Sequence, residues 1–117
     1  MDDRTKKHLN DILISINSID EHLQGVRIFK LYLDNKTMRR SVERELEIIG
    51  EALNRILKHL PDITISSARK IVGQRNLISH AYDSVDNAMI WGVVVKHLPI
   101  LKNEVELLLS ENDTNKV

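Results

Sequence analysis

The chain has 117 residues, no cysteine, and 17 basic against 17 acidic side chains, so its formal net charge is zero. This length suits a single domain with its own hydrophobic core. The absence of cysteine excludes disulfides, thiol nucleophiles and thiolate zinc sites. Zero net charge supplies no global attraction to a polyanion, so binding of nucleic acid would require a local basic patch.

The expected location is cytoplasmic, without contact with a membrane. The N-terminal sequence MDDRTKKHLN has no apolar run of signal-peptide length. Nowhere does the chain approach the roughly 18 uninterrupted apolar residues of a membrane span. We predict one helical domain over residues 1–110 and a flexible polar tail over residues 111–117.

Apolar residues at steps of three and four predict a first helix from about Asp3 to Gln24, ended by Gly25. The next segment, Val26 to Asp34, could be a strand or a short helix, and we favour helix because no second strand candidate exists to pair with it. The strongest helix pattern follows, capped by Asn35 or Thr37. Its apolar positions are Val42, Leu46, Ile49, Leu53, Ile56 and Leu60.

The other side of this third helix is rich in charge and is interpreted as solvated surface. It carries Glu43, Glu47, Glu51, Arg39, Arg40, Arg44 and Arg55.

Beyond Pro61, Ser66 or Ser67 is predicted to cap a helix that runs towards His80. A later helical stretch is predicted to open at Asp83 or Ser84. Pro99 is expected to divide it, because proline lacks a backbone donor and clashes inside a helix, and a last helix is predicted from about Pro99 to Ser110. With strand signals nearly absent, the sequence predicts an all-α, up-and-down bundle of about four to five helices.

Candidates for chemistry are few, since the chain has no histidine pair at metal-binding spacing, no glycine-rich phosphate loop and no GxSxG motif. We therefore expect no metal and no cofactor. Four isolated histidines, His8, His22, His59 and His97, are interpreted as structural. His80 differs, because the segment RNLISHAY surrounds it with other polar side chains.

In an ideal helix, with 100° per residue, Asn76 and His80 lie on one face, while Arg75 is rotated about 140° from His80. A long arginine side chain could bend round to the histidine. Alternatively, two copies of the motif could face each other in a homodimer. A solvated helix end with a capping histidine remains the non-functional interpretation of the whole cluster.

This set of residues fits cleavage of RNA without a metal. Near neutral pH a histidine such as His80 can take the proton from a ribose 2′-hydroxyl or give one to the leaving oxygen. The guanidinium of Arg75 can hold the phosphate and stabilise the transition state. Asn76 could orient the phosphate or the imidazole.

The segment RNLISHAY resembles the signature of HepT-type HEPN toxins, in which arginine, histidine and tyrosine occur at this spacing. The resemblance extends to ERELEIIGEALNRI and to the stretch from Ile71 to Val105, including Trp91 and an LPIL turn at 98–101. It implies an all-helical homodimer with the motif at a cleft between subunits, and Arg75 and His80 as catalytic residues accompanied by Asn76.

The same resemblance implies a type VII-like toxin–antitoxin pair. The partner would be an MntA-type nucleotidyltransferase antitoxin that transfers AMP from ATP to Tyr82 and so silences the ribonuclease. Read without the resemblance, Tyr82 is a packing residue at a helix end. The main alternative is a non-catalytic HEPN module that binds and regulates a nucleotidyltransferase or a nucleotide, and a structural helical adaptor is a further one.

Overall fold

The computed structural model describes residues 1–66, 68–73 and 86–114, and all regular secondary structure within these ranges is helical. The all-α prediction is therefore confirmed. No helix in these ranges is long and apolar enough to cross a membrane.

Helix α1 spans Asp3–Leu23, as the apolar periodicity predicts. Its first turn is capped by Asp2, whose carboxylate accepts a hydrogen bond of 2.8 Å from the Thr5 backbone N–H. At the other end the backbone turns left-handed, with φ of 51° at Gln24 and 81° at Gly25. Glycine tolerates such angles because it has no Cβ, so Gly25 ends the helix as expected.

The ambiguous second segment is helical, but only over α2, Phe29–Leu33. Asn35 then caps α3, Lys36–His59, by accepting a hydrogen bond of 2.9 Å from the Met38 N–H. Of the two predicted caps, the structure uses Asn35. The helix ends just before Pro61, which has no N–H to continue it.

Further helical pieces follow among the described residues in the second half of the chain. Residues 68–73 are helical and are labelled α4. Helix α5, Asn87–Gly92, is capped by Asp86, whereas the predicted caps Asp83 and Ser84 lie outside the described residues. A π-helical turn, Val93–His97, leads directly into α6, Leu98–Thr114.

Pro99 does not divide this last stretch, and the sequence 98–101 is helix rather than a turn, so both predictions are wrong. In a regular helix the proline ring collides with the carbonyl group four residues earlier. Here the preceding turn is wider, with the Leu98 N–H bonded to the Val93 carbonyl five residues back. The wider turn gives the ring room, and the helix continues past the predicted end at Ser110 to Thr114.

The core lies between α1 and α3, and the other helices close over it. Fully buried residues recur at helical spacing along both helices, and α4, α5 and α6 each contribute at least one more. Representative fully buried side chains are Leu9, Ile12, Ile19, Leu46, Ile49, Leu53, Ile71, Ile90 and Leu101.

Candidate functional site

The four residues predicted to carry the chemistry, Arg75, Asn76, His80 and Tyr82, belong to residues 74–85 and lie outside the described residues. The structure describes residues on both sides of this segment, 65–66 and 68–73 before it and 86–92 after it, and we call these two flanks the frame. Helix α4 leads into the segment as far as Gly73, and Asp86 follows it.

The leading side of the frame is fixed to the core and to α6. Ile65, Ala68 and Ile71 are buried. The backbone N–H and the hydroxyl of Ser66 donate hydrogen bonds of 3.0 Å and 3.1 Å to the two carboxylate oxygens of Glu104. The start of α4 is therefore held both by apolar packing and by a polar contact across 38 residues of sequence.

The trailing side of the frame is fixed to α2. The Asp86 carboxylate accepts hydrogen bonds from the N–H groups of Ala88 and Met89, at 2.9 Å and 3.2 Å. Further along α5, the ring of Trp91 lies 5.0 Å from that of Tyr32 and 6.2 Å from that of Phe29, measured between centroids. Such tilted aromatic contacts add to the stability that burial gives.

A depression of about 310 Å³ lies at the C-terminal end of residues 68–73, which immediately precede the segment with the predicted catalytic residues. Its lining residues are Asn54, Leu57, Lys58, Arg69, Val72 and Gly73. Arg75 follows Gly73 by two residues, so chain geometry alone limits the separation of their Cα atoms to about 7.6 Å. A ligand in this depression would therefore be near the predicted catalytic arginine.

A buried polar cluster on α2 and α3 was missed by sequence reasoning. Tyr32 is fully buried, and Glu43, predicted to be solvated, is only 6% exposed. Burial raises the pKa of Tyr32 well above its ordinary value, the negative charge of Glu43 raises it further, and Arg39 opposes the shift. Within the described residues the Tyr32 hydroxyl and Arg39 Nε have no hydrogen-bond partner.

The interpretation of the α3 charged face is therefore wrong at Glu43. This residue directly follows the buried Val42, so it lies at the border of the apolar stripe, and its carboxylate is 3.5 Å from Nη1 of Arg40. Two features of the sequence could have indicated that Glu43 is buried. It lies at the edge of the apolar stripe, and nearby arginines can neutralise its negative charge.

The largest described groove, about 490 Å³, lies between α1 and α3. His8 lines it, and Nε2 of His8 is buried without a hydrogen-bond partner in the part of the chain that the structure describes. Burial lowers the pKa of His8, and the nearby positive charges, chiefly Arg55, lower it further. This favours a neutral imidazole.

Two other isolated histidines face carboxylates. Nε2 of His59 is 2.8 Å from Oδ2 of Asp2, which ties the end of α3 to the cap of α1. Nε2 of His22 is 3.8 Å from a carboxylate oxygen of Glu45. Both contacts join α1 with α3 and fit the structural interpretation of these side chains.

The sequence matches the family described as Ribonuclease HepT-like over residues 12–108. A protein of Methanocaldococcus jannaschii, named provisionally as an RNase, is 34% identical over 107 residues, which cover 88% of this chain and 94% of the relative. The probable ribonuclease HepT of Thermococcus cleftensis is 36% identical, also over 88% of this chain and 94% of the relative. No solved structure matches significantly.

Proposed function

This chain belongs to the HepT-like ribonuclease family, and we propose that it is a metal-independent endoribonuclease, the toxin of a type VII-like toxin–antitoxin pair. One observation carries the proposal. The family match over residues 12–108 contains the whole segment RNLISHAY, in which an arginine, a histidine and a tyrosine occur at the spacing of the HepT motif.

In the proposed reaction a ribose 2′-oxygen attacks the adjacent phosphorus. The 2′-hydroxyl gives up its proton, the bond from phosphorus to the 5′-oxygen breaks, and the leaving oxygen takes a proton. The products are a 2′,3′-cyclic phosphate and a free 5′-hydroxyl. His80 serves as base or acid, since its imidazole exchanges protons near neutral pH.

Arg75 supplies the fixed positive charge. A guanidinium remains protonated and can donate two parallel hydrogen bonds to phosphate oxygens, where negative charge accumulates in the transition state. Asn76 is assigned to positioning of the phosphate or the imidazole. Because Arg75 and His80 are about 140° apart on an ideal helix, we assign the site to a homodimer in which each motif serves the other.

Silencing is assigned to a nucleotidyltransferase antitoxin acting on Tyr82. The phenol oxygen attacks the α-phosphorus of ATP, pyrophosphate leaves, and the phenol proton passes to solvent. The attached AMP adds bulk and negative charge, which blocks RNA sterically and repels its phosphates. A Tyr82→Phe variant should keep cleaving RNA and escape silencing, whereas AMP found on another residue would contradict this assignment.

Cleavage is tested by incubating purified protein with RNA in excess EDTA and determining the ends of the products. Wild type should produce 2′,3′-cyclic phosphate ends, while Arg75→Ala and His80→Ala should be inactive. His22→Ala is the matched control, since it removes an exposed histidine from another helix. RNA left intact by wild type, or equal cleavage by all four proteins, would exclude the enzyme and favour a non-catalytic module.

A further inference from the structure

We propose that Arg4, Lys58 and Arg69 form a basic strip that binds the phosphate backbone of the RNA substrate and leads it to the catalytic segment. The inference rests on the proposed ribonuclease function and specifies where its substrate binds. It addresses a requirement set by composition, since a chain with zero net charge needs a local patch of positive charge to hold RNA.

The strip follows two adjoining depressions. The first, of about 250 Å³, is lined by Arg4, Arg55, Lys58 and His59. The second is the depression of about 310 Å³ beside Gly73, to which Arg69 contributes. Lys58 lines both, so the two depressions adjoin at this residue. No aspartate or glutamate is among the described lining residues of either.

Three of the basic side chains that line these depressions have no acidic partner among the described residues. Arg55 is paired with Glu51 at 3.0 Å, and His59 with Asp2 at 2.8 Å. Over residues 1–66, 68–73 and 86–111, neither a salt bridge nor a hydrogen bond joins the side chains of Arg4, Lys58 and Arg69 to a carboxylate. All three are exposed, so their charge is available to a phosphate.

The larger groove between α1 and α3 lacks an excess of positive charge among its lining residues. Its lining includes the cations Lys7, Arg44 and Arg55, but also three carboxylates, those of Asp11, Glu47 and Glu51. The charges balance, and Lys7 is paired with Asp11 at 3.0 Å. An RNA chain would meet as many negative as positive groups there, so volume alone does not make that groove the better site.

The strip is also rigidly placed. Its three cations stand on three different helices, α1, α3 and α4, and these helices share one buried core. On α4, Arg69 lies between the buried Ala68 and Ile71 in sequence, so its backbone is anchored. Gly73, two residues before Arg75, lines the second depression, so RNA held there would lie beside a residue close in sequence to the proposed catalytic arginine.

The test measures the affinity of the full-length protein for a single-stranded RNA fully substituted with 2′-O-methyl groups, which block attack by the 2′-oxygen. Fluorescence anisotropy gives the Kd between about 50 and 200 mM salt. The variants are Arg4→Gln, Lys58→Gln, Arg69→Gln and the triple substitution. Lys36→Gln is the matched control, because Lys36 is an exposed lysine about 33 Å from Lys58 along α3.

For single strands each lost phosphate contact lowers the slope of log affinity against log salt by about 0.7. The slope for the triple variant should therefore be smaller than that of wild type by about 2. Between 50 and 200 mM salt, the RNA affinity of wild type should then fall about 20-fold more than the affinity of the triple variant. Each single variant should show about a third of that change in slope. Lys36→Gln should match wild type.

The strip is ruled out if the triple variant binds with the affinity and salt slope of wild type, or if Lys36→Gln weakens binding as much as Lys58→Gln does. It is equally ruled out if the triple variant loses the antitoxin but not the RNA, since the cations then serve an acidic protein surface. Cleavage of unmodified RNA is measured separately. If the triple variant shows the expected loss of salt slope but wild type cleaves nothing, the proposed function is contradicted while the strip remains supported.

Discussion

The α1 and α3 helices and the helical run from Asn87 to Thr114 are both built on apolar residues at helical spacing, but their backbones differ. Helices α1 and α3 run as regular α-helix for 21 and 24 residues. The later run changes from α to π and back to α within its first half. Apolar periodicity thus predicts that a segment is helical, but it does not specify the hydrogen-bond pattern.

The difference has a local cause and a tertiary one. The local cause is Pro99, which lacks an N–H and needs space at the preceding turn. The tertiary cause is packing against the core. The wider turn sets the rotation of α6 about its axis, and in this rotation Leu98, Leu101 and Val105 are buried. Uninterrupted helix would rotate these positions relative to α5, so packing favours keeping the π turn.

The largest change in stability is expected for a substitution in the core of α3. Leu46→Ala should lower the free energy of unfolding by about 2 to 5 kcal/mol, because Leu46 is fully buried and the substitution leaves a cavity. Leu107→Ala in α6, where the side chain is 60% exposed, should change it by less than about 0.5 kcal/mol. Urea denaturation measures both, and similar losses would contradict the placement of the main core along α3.

Pro99→Ala tests the tolerance of the π turn. Proline is about 3 kcal/mol less favourable than alanine inside a helix, so the variant should be more stable than wild type. The gain in the free energy of unfolding should be smaller than about 3 kcal/mol, because the wide turn already accommodates the ring. Pro61→Ala, in the turn after α3, should instead lose about 0.4 to 1 kcal/mol. A loss of stability in Pro99→Ala would contradict this expectation and would mean that the ring of Pro99 makes a net stabilising contribution to the folded state.

Asp86→Ala compares the caps of the two regions. It removes the acceptor for two N–H groups at the start of α5 and should cost about 1 kcal/mol in unfolding free energy. Asn35→Ala, which removes the acceptor for one N–H at the start of α3, should cost no more than that. A clearly larger cost at Asn35, measured by urea denaturation, would show that α3 depends more on its cap than α5 does.

The smallest expected effect is the pH dependence from Asp2, which is exposed. Hydrogen bonds from Thr5, and then the contact with His59, lower the pKa of Asp2 from 3.8 to about 2. A carboxyl whose pKa is lower in the folded state stabilises the fold above its unfolded pKa and loses this effect as pH falls. The melting temperature of wild type should therefore exceed that of Asp2→Asn above about pH 4, and the difference should shrink as the pH falls and vanish below about pH 2.

Asp3→Asn is the control for this measurement, since it removes the same charge from the next residue, which is not the helix cap. It should not reproduce the pH-dependent difference. A difference between wild type and Asp2→Asn that stays constant down to pH 2 would show that the Asp2 carboxylate is not stabilised by Thr5 and His59.

Much of the fold could be predicted from individual residues. Gly25 and Pro61 mark helix ends because their backbones cannot continue a regular helix, and Asn35 marks a helix start because its side chain replaces a missing carbonyl acceptor. The family, too, follows from one short motif and the segments around it. The burial of Glu43 could not be predicted with the same ease, since it depends on α2 bringing Tyr32 to that side of α3.

The candidate site, too, has a part that could be predicted from the sequence and a part that could not. The sequence singles out Arg75, Asn76, His80 and Tyr82, because polar side chains cluster there at the end of an apolar pattern. It offers no reason to group Arg4 with Lys58 and Arg69, which lie 54 and 65 residues further along the chain. Only the packing of α1, α3 and α4 on one core places these three cations along adjoining depressions.

The sequence by itself determined the helical class, most helix ends and the identity of the residues proposed for chemistry, because each depends on local spacing and side-chain type. The tertiary structure decided the π turn before Pro99, the burial of Tyr32 and Glu43, and the placement of Arg4, Lys58 and Arg69 along adjoining depressions. These depend on which helices meet, and contacts between residues distant in sequence leave no periodic pattern in the chain.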